Sequence, residues 1–434
     1  QMAATPPMGW NSYNCYGSAV HENEVKANAD YLAAHFKQFG WQYIVVDFLW
    51  SYDNPPGSLI GNPFQKNLQD GSFVPWLTMD EWGRLMPQPT KFPSSFGGKG
   101  FKPLADYVHA LGLRFGIHVM RGIPRQAVWA KSPVKGAPGI TADMIADTGS
   151  TCPWMNHMYG LDMRKPGAQA YLNSIVALYA EWDVDFLKVD DLSRPYSHAE
   201  VEGYHNAIVS SGRPMVLSIS PGATPVSAAA HAAQYTNMWR MADDFWDNWK
   251  EIKQMMDYAV QWQGQGGEGH WPDCDMLQIG KLSKRGPVGK ERYSRFTRDE
   301  LYTHMNFWCI YNSPLMIGGN LPENRSLEDS LYSNPAVLAV NQQGRHPKRL
   351  WHTDSASIWV SDQPAGAGWY AAIFNLSEQE KTIDLPFGLL PAKERLTVKD
   401  CWTGQGKAGL RKYQVTLRPH ASVLLQINKQ QKNN

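Results

Sequence analysis

The sequence is short of the features that define several classes of protein. Its 434 residues include only five cysteines with no CxxC spacing, which argues against a disulfide framework and against a zinc site. It has no run of about 18 apolar residues, so we expect no membrane span. The formal net charge is only +1 and no basic block stands out, so nucleic acid is not an expected partner. Reduced thiols and the lack of a visible signal peptide predict a cytoplasmic location, although a mature exported chain would look the same.

What the sequence does contain is a repeated unit, an amphipathic helix followed by a short apolar strand. Residues 24–39 carry apolar side chains at helical spacing, Gly40 can end that helix, and YIVVDFLW follows as a strand. The unit recurs, and with MGWNSYN at the start there are eight candidate strands before residue 335. Eight strands that alternate with helices predict a (β/α)8 barrel, and a doubly wound open sheet is the alternative.

The pattern changes after residue 335. Short runs of alternating apolar and polar residues follow, such as SIWVS, WYAAIFN and SVLLQI, with turn residues between them. We therefore predict a barrel over residues 1–335 and a C-terminal antiparallel β-sandwich domain over residues 336–434. Two long segments of weak periodicity, 51–100 and 121–165, are expected above the C-terminal mouth of the barrel. The second of them either covers the site or mediates a subunit contact.

Carboxylates gather where the predicted strands end. They are Asp47 after YIVV, Asp190 and Asp191 after FLKV, Asp243 and Asp244 after NMWRMA, and Asp273 and Asp275 after GHWP. In a barrel these ends converge on one mouth, which is where active sites lie. The pleat of the strand puts Lys188 on the same face as Asp190. A lysine at that place would keep the Asp190 carboxylate ionised, as a nucleophile requires.

These carboxylates admit three interpretations. They are a network of ion pairs that closes the barrel, or a metal site, or the two carboxylates of a glycoside hydrolase. No excess of basic residues accompanies the clusters, and HWPDCD and KVDD lack the helical histidine spacings of zinc enzymes. Glycoside hydrolysis is therefore the main hypothesis, and this chemistry needs neither a metal nor an organic cofactor.

Five stretches in order resemble glycoside hydrolase family 27, the family of α-galactosidases and α-N-acetylgalactosaminidases. They are TPPMGWNSYN, LKVD, WRMADDFWDNW, WPDCDML and NSPLMIGG, and together they extend over most of the chain. The resemblance implies a (β/α)8 barrel, a C-terminal β domain and a retaining mechanism. It also implies that Asp190 is the nucleophile and Asp244 the acid/base, with Asp243 as the second choice. The groups that it implies for hydrogen-bonding the sugar hydroxyls are Lys188, Arg240 and Asp275.

Three departures from the family pattern bear on the substrate. Where the galactosidase pattern has two adjacent Asp residues that hold the 4- and 6-hydroxyls, this chain has Asp47 and Phe48. The Phe48 ring would hold a galactose C6 group poorly, whereas β-L-arabinopyranose has the galactose configuration and no C6. Tyr13 stands where the pattern usually has Trp, which makes a smaller stacking platform. Ser220 and Ala223 look like the small pair of the N-acetylgalactosaminidases, which leaves space for a 2-acetamido group.

The main prediction is a retaining exo-glycosidase of the α-galactosidase type that removes a terminal sugar of galacto configuration. The alternatives are a β-L-arabinopyranosidase, an α-N-acetylgalactosaminidase and, outside the enzymes, a carbohydrate-binding barrel that has lost catalysis. Arg121 and Arg125 follow the third predicted strand, and one of them is expected to reach the substrate. The expected partner is a glycoside, with neither nucleic acid nor a membrane, and the sequence is compatible with a homo-oligomer.

Overall fold

Eight parallel strands form the larger part of the protein, in a computed structural model that describes residues 2–53, 76–392 and 395–429. These strands are β1 (Met8–Asn11), β2 (Tyr43–Val46), β3 (Arg114–Met120), β4 (Phe186–Asp190), β5 (Val216–Ser220), β6 (Met238–Arg240), β7 (Trp271–Asp273) and β8 (Leu315–Ile317). From β1 to β7 each strand pairs with the next one in sequence, and β8 pairs with β1. A parallel bridge between Leu277, just beyond β7, and Ile317 in β8 closes the sheet on itself. The predicted (β/α)8 barrel is confirmed, and the open sheet is not the architecture.

Helices follow the strands and cover the outside of the barrel. The main ones are α1 (Glu22–His35), α2 (Lys102–Ala110), α3 (Ala168–Glu181), α4 (His198–Ser211), α5 (Ala229–Tyr235), α6 (Trp249–Gln261), α7 (Arg298–Ile310), α8 (Ser326–Tyr332) and α9 (Pro335–Gln343). Shorter helices span Tyr13–Tyr16, Arg125–Trp129 and Ala142–Ile145. In α1 the apolar side chains of Val25, Ala29 and Leu32 are buried, as their helical spacing predicts. Gly40 then turns the chain towards β2 with a φ of +97°, which favours a residue without Cβ.

The insertion predicted at residues 121–165 folds between β3 and α3. It contains a three-stranded antiparallel sheet made of Ile123–Pro124, Ala146–Cys152 and Met155–Leu161. Gly122 makes the turn out of β3, and a Cβ added there would collide with the carbonyl oxygen of Tyr159. A smaller hairpin, Lys281–Leu282 with Arg292–Tyr293, precedes α7. Residues 54–75 of the other predicted long segment lie outside the described residues.

The C-terminal part of the chain is antiparallel. In sheet order, one sheet consists of Arg345–Thr353, Ala356–Asp362, Gly368–Asn375, Ser422–Lys429, Leu396–Asp400 and Gly406–Leu410, and a second consists of Lys381–Leu385 and Tyr413–Leu417. Both sheets contribute to one apolar core, for example through Ile373 and Ile383. The predicted C-terminal antiparallel β domain is confirmed. The boundary predicted between residues 335 and 336 falls at the start of α9, whose Val337 side chain is buried in the core of the barrel.

The larger C-terminal sheet packs one face against the barrel. Phe307 in α7 is fully buried, and its ring lies edge-on to Trp359 at 5.3 Å and to Phe374 at 6.0 Å between centroids. Beside these rings, Thr303 Oγ1 lies 2.7 Å from Ser422 Oγ. Helix α7 is therefore shared between the two parts of the molecule, and aromatic packing joins them into one unit.

The five cysteines are all buried with free thiols. Burial raises the pKa of each thiol above its ordinary value, which keeps the sulfur protonated and unreactive. Within the described residues, no helix has the length and apolar character that crossing a membrane requires.

Replacing Phe307 tests the packing of α7 against the larger C-terminal sheet. We expect Phe307→Ala to lower the free energy of unfolding by about 3–5 kcal/mol, because it leaves a cavity between α7 and the C-terminal sheet. The measurement is urea unfolding followed by tryptophan fluorescence. Phe96→Ala is the matched control, since that ring is 74% exposed and its loss should change stability by no more than about 0.5 kcal/mol. Equal effects of the two variants would contradict the packing described here.

Candidate active site

The carboxyl ends of the barrel strands surround a cavity of about 380 Å³. Most of the site residues predicted from the sequence line it, namely Tyr13, Asp47, Phe48, Lys188, Asp190, Asp191, Ser220, Arg240, Asp243 and Asp244. The barrel register explains this convergence, because Asp190 at the end of β4 pairs with Met120 on one side and with Ser220 on the other. Side chains that are far apart in sequence therefore meet at one level of the barrel.

The Asp190 carboxylate is buried at the end of β4 and is held by a histidine. Its Oδ2 lies 2.9 Å from Nε2 of His118 in β3. An ionised carboxylate only accepts hydrogen bonds, so the imidazole is the donor. Burial raises the pKa of Asp190 above its ordinary value, while the His118 hydrogen bond and the charge of Lys188 act in the opposite direction. The imidazole therefore supports the charged form directly, together with the backbone N–H of Asp191, which donates to Asp190 Oδ1 at 2.8 Å.

Lys188 pairs with Asp47 rather than with its strand neighbour Asp190. Its Nζ lies 2.8 Å from Asp47 Oδ2, and Asn11 Nδ2 donates to the same oxygen at 2.8 Å. Burial alone would raise the pKa of Asp47, but Lys188 and His118 lower it well below its ordinary value. Asp47 is thus a fixed anion. The charge of Lys188 still favours the ionised form of Asp190, as its place on the same strand face predicts, while the lysine makes its hydrogen bond to Asp47.

Arg240 organises the opposite wall of the cavity. Its Nη2 contacts Asp275 Oδ2 at 2.8 Å and Asp244 Oδ1 at 3.2 Å. Asp275 is buried, does not line the cavity, and accepts a hydrogen bond from the Phe245 backbone. Burial raises the pKa of Asp275, Arg240 opposes that rise, and the charges of Asp244 and Asp273 add to it. One guanidinium therefore faces three carboxylates, an arrangement that favours retention of a proton among them.

The two adjacent aspartates after β6 have different surroundings. Asp244 reaches into the cavity beside Arg240. Asp243 forms an ion pair with Arg194 at 2.9 Å on the rim, and both partners of that pair are exposed. Of the two, Asp244 is the one whose charge raises the pKa of Asp190. The geometry therefore favours Asp244 over Asp243 as the partner of Asp190.

Arg121 does not line the cavity, and neither does Arg125. The Arg121 guanidinium donates to the backbone oxygen of Asp191 at 2.9 Å and forms ion pairs with Asp191 at 3.0 Å and with Glu200 at 2.8 Å. It also donates to Ser150 in the insertion at 2.9 Å. A guanidinium whose donors already bind protein oxygens in this way is not free to bind a sugar. The expectation that one of these arginines reaches the substrate is corrected, and Arg121 instead fixes the loop that follows Asp190.

Two family models match most of the chain. The model described as alpha galactosidase A matches residues 139–343, and that of the alpha galactosidase C-terminal beta sandwich domain matches residues 353–427. Among solved structures, a variant of the family 27 β-L-arabinopyranosidase from Geobacillus stearothermophilus in complex with arabinose is 44% identical, with a TM-score of 0.93. The match covers 99% of this chain and 98% of that one. The chain belongs to glycoside hydrolase family 27.

Two further relatives illustrate the breadth of family 27. A Bacillus halodurans protein assigned as an α-N-acetylgalactosaminidase is 42% identical with a TM-score of 0.87, and the match covers 99% of each chain. The α-galactosidase from Cyamopsis tetragonoloba is 26% identical over 411 residues, which is 92% of this chain and 80% of that protein. Like other members of family 27, this chain is an O-glycosyl hydrolase.

Phe48 replaces the second aspartate of the family 27 pattern with an apolar wall. Its ring is buried, lies edge-on to Tyr13 at 6.0 Å and to His118 at 5.8 Å, and faces the cavity. The backbone N–H of Phe48 donates to Asp47 Oδ1 at 2.9 Å. Asp47 therefore keeps a carboxylate in the cavity, and the neighbouring position offers only carbon atoms.

Only part of the segment that the sequence indicates after β5 lines the cavity. Ser220, Pro221 and Gly222 line the cavity, whereas Ala223 does not. Among the described residues, the buried Ser220 Oγ has no hydrogen-bond partner. A buried hydroxyl in that situation favours a polar group of a ligand in front of it. The expectation that Ser220 and Ala223 together border the sugar is therefore corrected, because the wall consists of Ser220 and the two residues after it.

The carboxylates that line the cavity are already paired, namely Asp47 with Lys188, Asp190 with His118, Asp191 with Arg121, Asp243 with Arg194 and Asp244 with Arg240. Within the part of the chain that the structure describes, the three side chains close enough to share a metal ion are Asp106, His109 and Asp183, at the surface near α2. Lys102 pairs with both of these aspartates. Positive side chains so near compete with a cation, and the cluster is remote from the strand ends that form the cavity.

Sequence reasoning missed several residues that the fold brings to the cavity. They are His118, which contacts Asp190, and Arg194 and Met276, which line the walls. Pro153, Trp154 and Met155 also line the walls, and they belong to the segment 121–165 that the sequence places above the mouth without singling out any one residue. One signal could have identified His118, since it is a polar residue in the otherwise apolar run FGIHVM and falls level with Lys188 in the barrel register. No comparable signal exists for Trp154, because its position depends on how the insertion folds.

Removing the imidazole tests its effect on Asp190. We expect His118→Leu to lower kcat/KM by roughly 10- to 100-fold through loss of a hydrogen bond to a charged group. Because that hydrogen bond favours the ionised carboxylate, its loss raises the pKa of Asp190 and moves the acidic limb of the pH profile to higher pH. His118→Gln keeps a donor, so it should lose less kcat/KM than His118→Leu and shift the acidic limb by less. His346→Leu, at an 83% exposed histidine of the C-terminal sheet, is the control, and an unmoved limb in His118→Leu would contradict this role.

Proposed function

We propose that the protein is a retaining exo-glycosidase that removes terminal β-L-arabinopyranosyl units. The observation that carries the proposal is the Phe48 ring, which faces the cavity next to the hydroxyl-binding Asp47. β-L-Arabinopyranose has the ring configuration of α-D-galactose and a hydrogen in place of the C6 hydroxymethyl group. An apolar wall suits that hydrogen, and a C6 hydroxyl placed there would lose its hydrogen bonds.

The relatives support the same sugar. The arabinopyranosidase from Geobacillus stearothermophilus is 44% identical, against 26% for the α-galactosidase from Cyamopsis tetragonoloba. The sequence alone ranks an α-galactoside as the first substrate, and the apolar wall at Phe48 places the β-L-arabinopyranoside ahead of it. An α-N-acetylgalactosaminide is the second candidate, because Ser220, Pro221 and Gly222 leave a wall of small groups and the Bacillus halodurans relative is 42% identical.

The proposed mechanism uses two displacements. An Asp190 oxygen attacks the anomeric carbon and forms a glycosyl ester, while the bond from that carbon to the leaving oxygen breaks and the leaving oxygen takes the proton of Asp244. Water then attacks the same carbon, gives a proton to Asp244 and releases Asp190 as a carboxylate. His118 and Lys188 favour the charged form of Asp190. Burial and the charges of Asp244 and Asp273 raise the pKa of Asp275 against the effect of Arg240, so a carboxyl group of this cluster retains a proton more readily than an isolated one.

Other groups are assigned by their places in the cavity. We assign Asp47, Lys188 and Ser220 to the hydroxyls of the sugar, and Tyr13 to its apolar face. Arg240 lines the cavity, keeps the hydroxyl-binding role expected from the sequence and also holds Asp244. Asp275 does not line the cavity, so its expected contact with the sugar is corrected to a role in holding Arg240. A cytoplasmic location also belongs to the proposal, and the five unpaired thiols support it.

A panel of p-nitrophenyl glycosides tests the sugar. We expect kcat/KM to be highest for the β-L-arabinopyranoside, above the α-D-galactopyranoside and the α-N-acetylgalactosaminide by at least about tenfold, since one unpaired polar group costs that much. Phe48→Asp should shift the ratio towards the galactoside by roughly 10- to 100-fold. The measurement is release of p-nitrophenol under one set of conditions.

Asp190→Ala is the matched control and should reduce all three activities by at least about 10³-fold. A wild-type preference for the galactoside that Phe48→Asp leaves unchanged would refute the assignment of the sugar. Turnover that survives in Asp190→Ala would refute the assignment of the nucleophile.

A further inference from the structure

The cavity has a depth gradient that separates two regions. The Asp47 and Asp190 side chains are only 3% and 9% exposed, so the sugar that they bind lies at the bottom. Asp244 is 42% exposed, and Asp243 beyond it is 65% exposed. A leaving-group oxygen within reach of Asp244 is therefore near the mouth, and the rest of the leaving group extends outward from there.

One wall of this mouth is a tryptophan on the insertion. Cys152 pairs with Met155 across a two-residue turn, and the side chains of both are buried. This anchoring leaves Pro153 and Trp154 at the tip of the hairpin, where they line the cavity. The Trp154 ring is half-buried, so one part of it packs on the protein and another part faces the cavity. A ring that is fixed from behind in this way loses little entropy when a ligand stacks on it.

The other wall is a charged pair. Arg194 donates to both carboxylate oxygens of Asp243, at 2.9 and 3.1 Å, and the two side chains are 62% and 65% exposed. Gly222 lies behind them with a φ of +87°, and a Cβ added there would lie 3.5 Å from Arg194 Cβ and from Asp243 Oδ1. The pair therefore lies close against the chain after β5, and both side chains line the mouth of the cavity.

We propose that Trp154 and the Arg194–Asp243 pair form the binding subsite for the leaving group, and that this group is a second sugar unit. The inference rests on the proposed function, since it takes the deep end of the cavity as the site of the terminal sugar. It makes the natural substrate an arabinopyranosyl oligosaccharide or glycan rather than a simple alkyl glycoside.

The chemistry of the two walls identifies the ligand. A pyranose ring has an apolar face of C–H groups, which an indole ring covers, and a rim of hydroxyls, which are both donors and acceptors. A guanidinium paired with a carboxylate offers donors and acceptors side by side. A flat apolar leaving group would contact only Trp154, whereas a second sugar can use both walls.

Two substrates that differ only in the leaving group test the subsite. They are methyl β-L-arabinopyranoside and a disaccharide with β-L-arabinopyranose linked to galactose, and both need the proton of Asp244. We expect Trp154→Ala to reduce kcat/KM for the disaccharide by roughly 3- to 10-fold more than for the methyl glycoside, which is the usual range for one aromatic contact. Trp154→Phe should recover part of the difference.

Two further variants sharpen the test. Arg194→Lys keeps the charge beside Asp243 but loses the planar fork of donors, so it should also penalise the disaccharide more than the methyl glycoside. Trp129→Ala is the matched control, because Trp129 is an exposed tryptophan of the same insertion that does not line the cavity. It should affect neither substrate.

The outcomes separate this proposal from the one on which it rests. Equal losses on both substrates in Trp154→Ala, or no loss on the disaccharide, would overturn the subsite while the arabinosidase assignment stands. A wild-type protein that hydrolyses neither arabinoside would overturn both. A disaccharide-specific loss in Trp154→Ala and Arg194→Lys that is absent from Trp129→Ala supports the subsite.

Discussion

The removal of carboxylates from water is the constraint on which the rest of this active site depends. Asp47, Asp190, Asp273 and Asp275 are all buried at the end of the barrel. A buried charge is tolerated only when ion pairs and hydrogen bonds replace its hydration. Lys188, His118 and Arg240 provide that replacement, and each of them comes from a different strand. The site is therefore a property of the closed barrel and not of any one motif.

Backbone strain next to the nucleophile is part of the same arrangement. Asp191 follows Asp190 with a φ of +66°, in the left-handed region that is uncommon for a residue with a side chain. Arg121 compensates by binding both the backbone oxygen and the carboxylate of Asp191. Because Arg121 also binds Glu200 in α4 and Ser150 in the insertion, the strained turn is tied to two other elements. Strain of this kind persists at a functional site when the surroundings determine the backbone fully.

The buried bottom and the exposed mouth of the cavity give the two catalytic carboxylates of the proposed mechanism different surroundings. Asp190 is surrounded by the barrel and fixed by His118, whereas Asp244 contacts Arg240 and meets solvent at the mouth. Two identical side chains therefore have the different surroundings that the two roles of a double displacement need. The insertion after β3 forms part of the mouth, since the tip of its hairpin lines the cavity.

The sequence by itself determined the barrel, the antiparallel C-terminal domain and the strand ends at which the chemistry lies. It could do so because helical and strand periodicities are local, and because parallel strands in a closed barrel must end at one mouth. The roles proposed for Asp190 and Asp244 also come from local motifs.

Only the tertiary structure decided which charges meet. Lys188 is two residues from Asp190 but pairs with Asp47 on another strand, and Arg121 faces Asp191 and Glu200 rather than the cavity. His118 and Trp154 entered the site in the same way, one through the register of β3 with β4 and the other through the fold of the insertion. The physical reason is that a side chain reaches only a few ångströms, so its partner is set by the packing of distant segments and not by its neighbours in sequence.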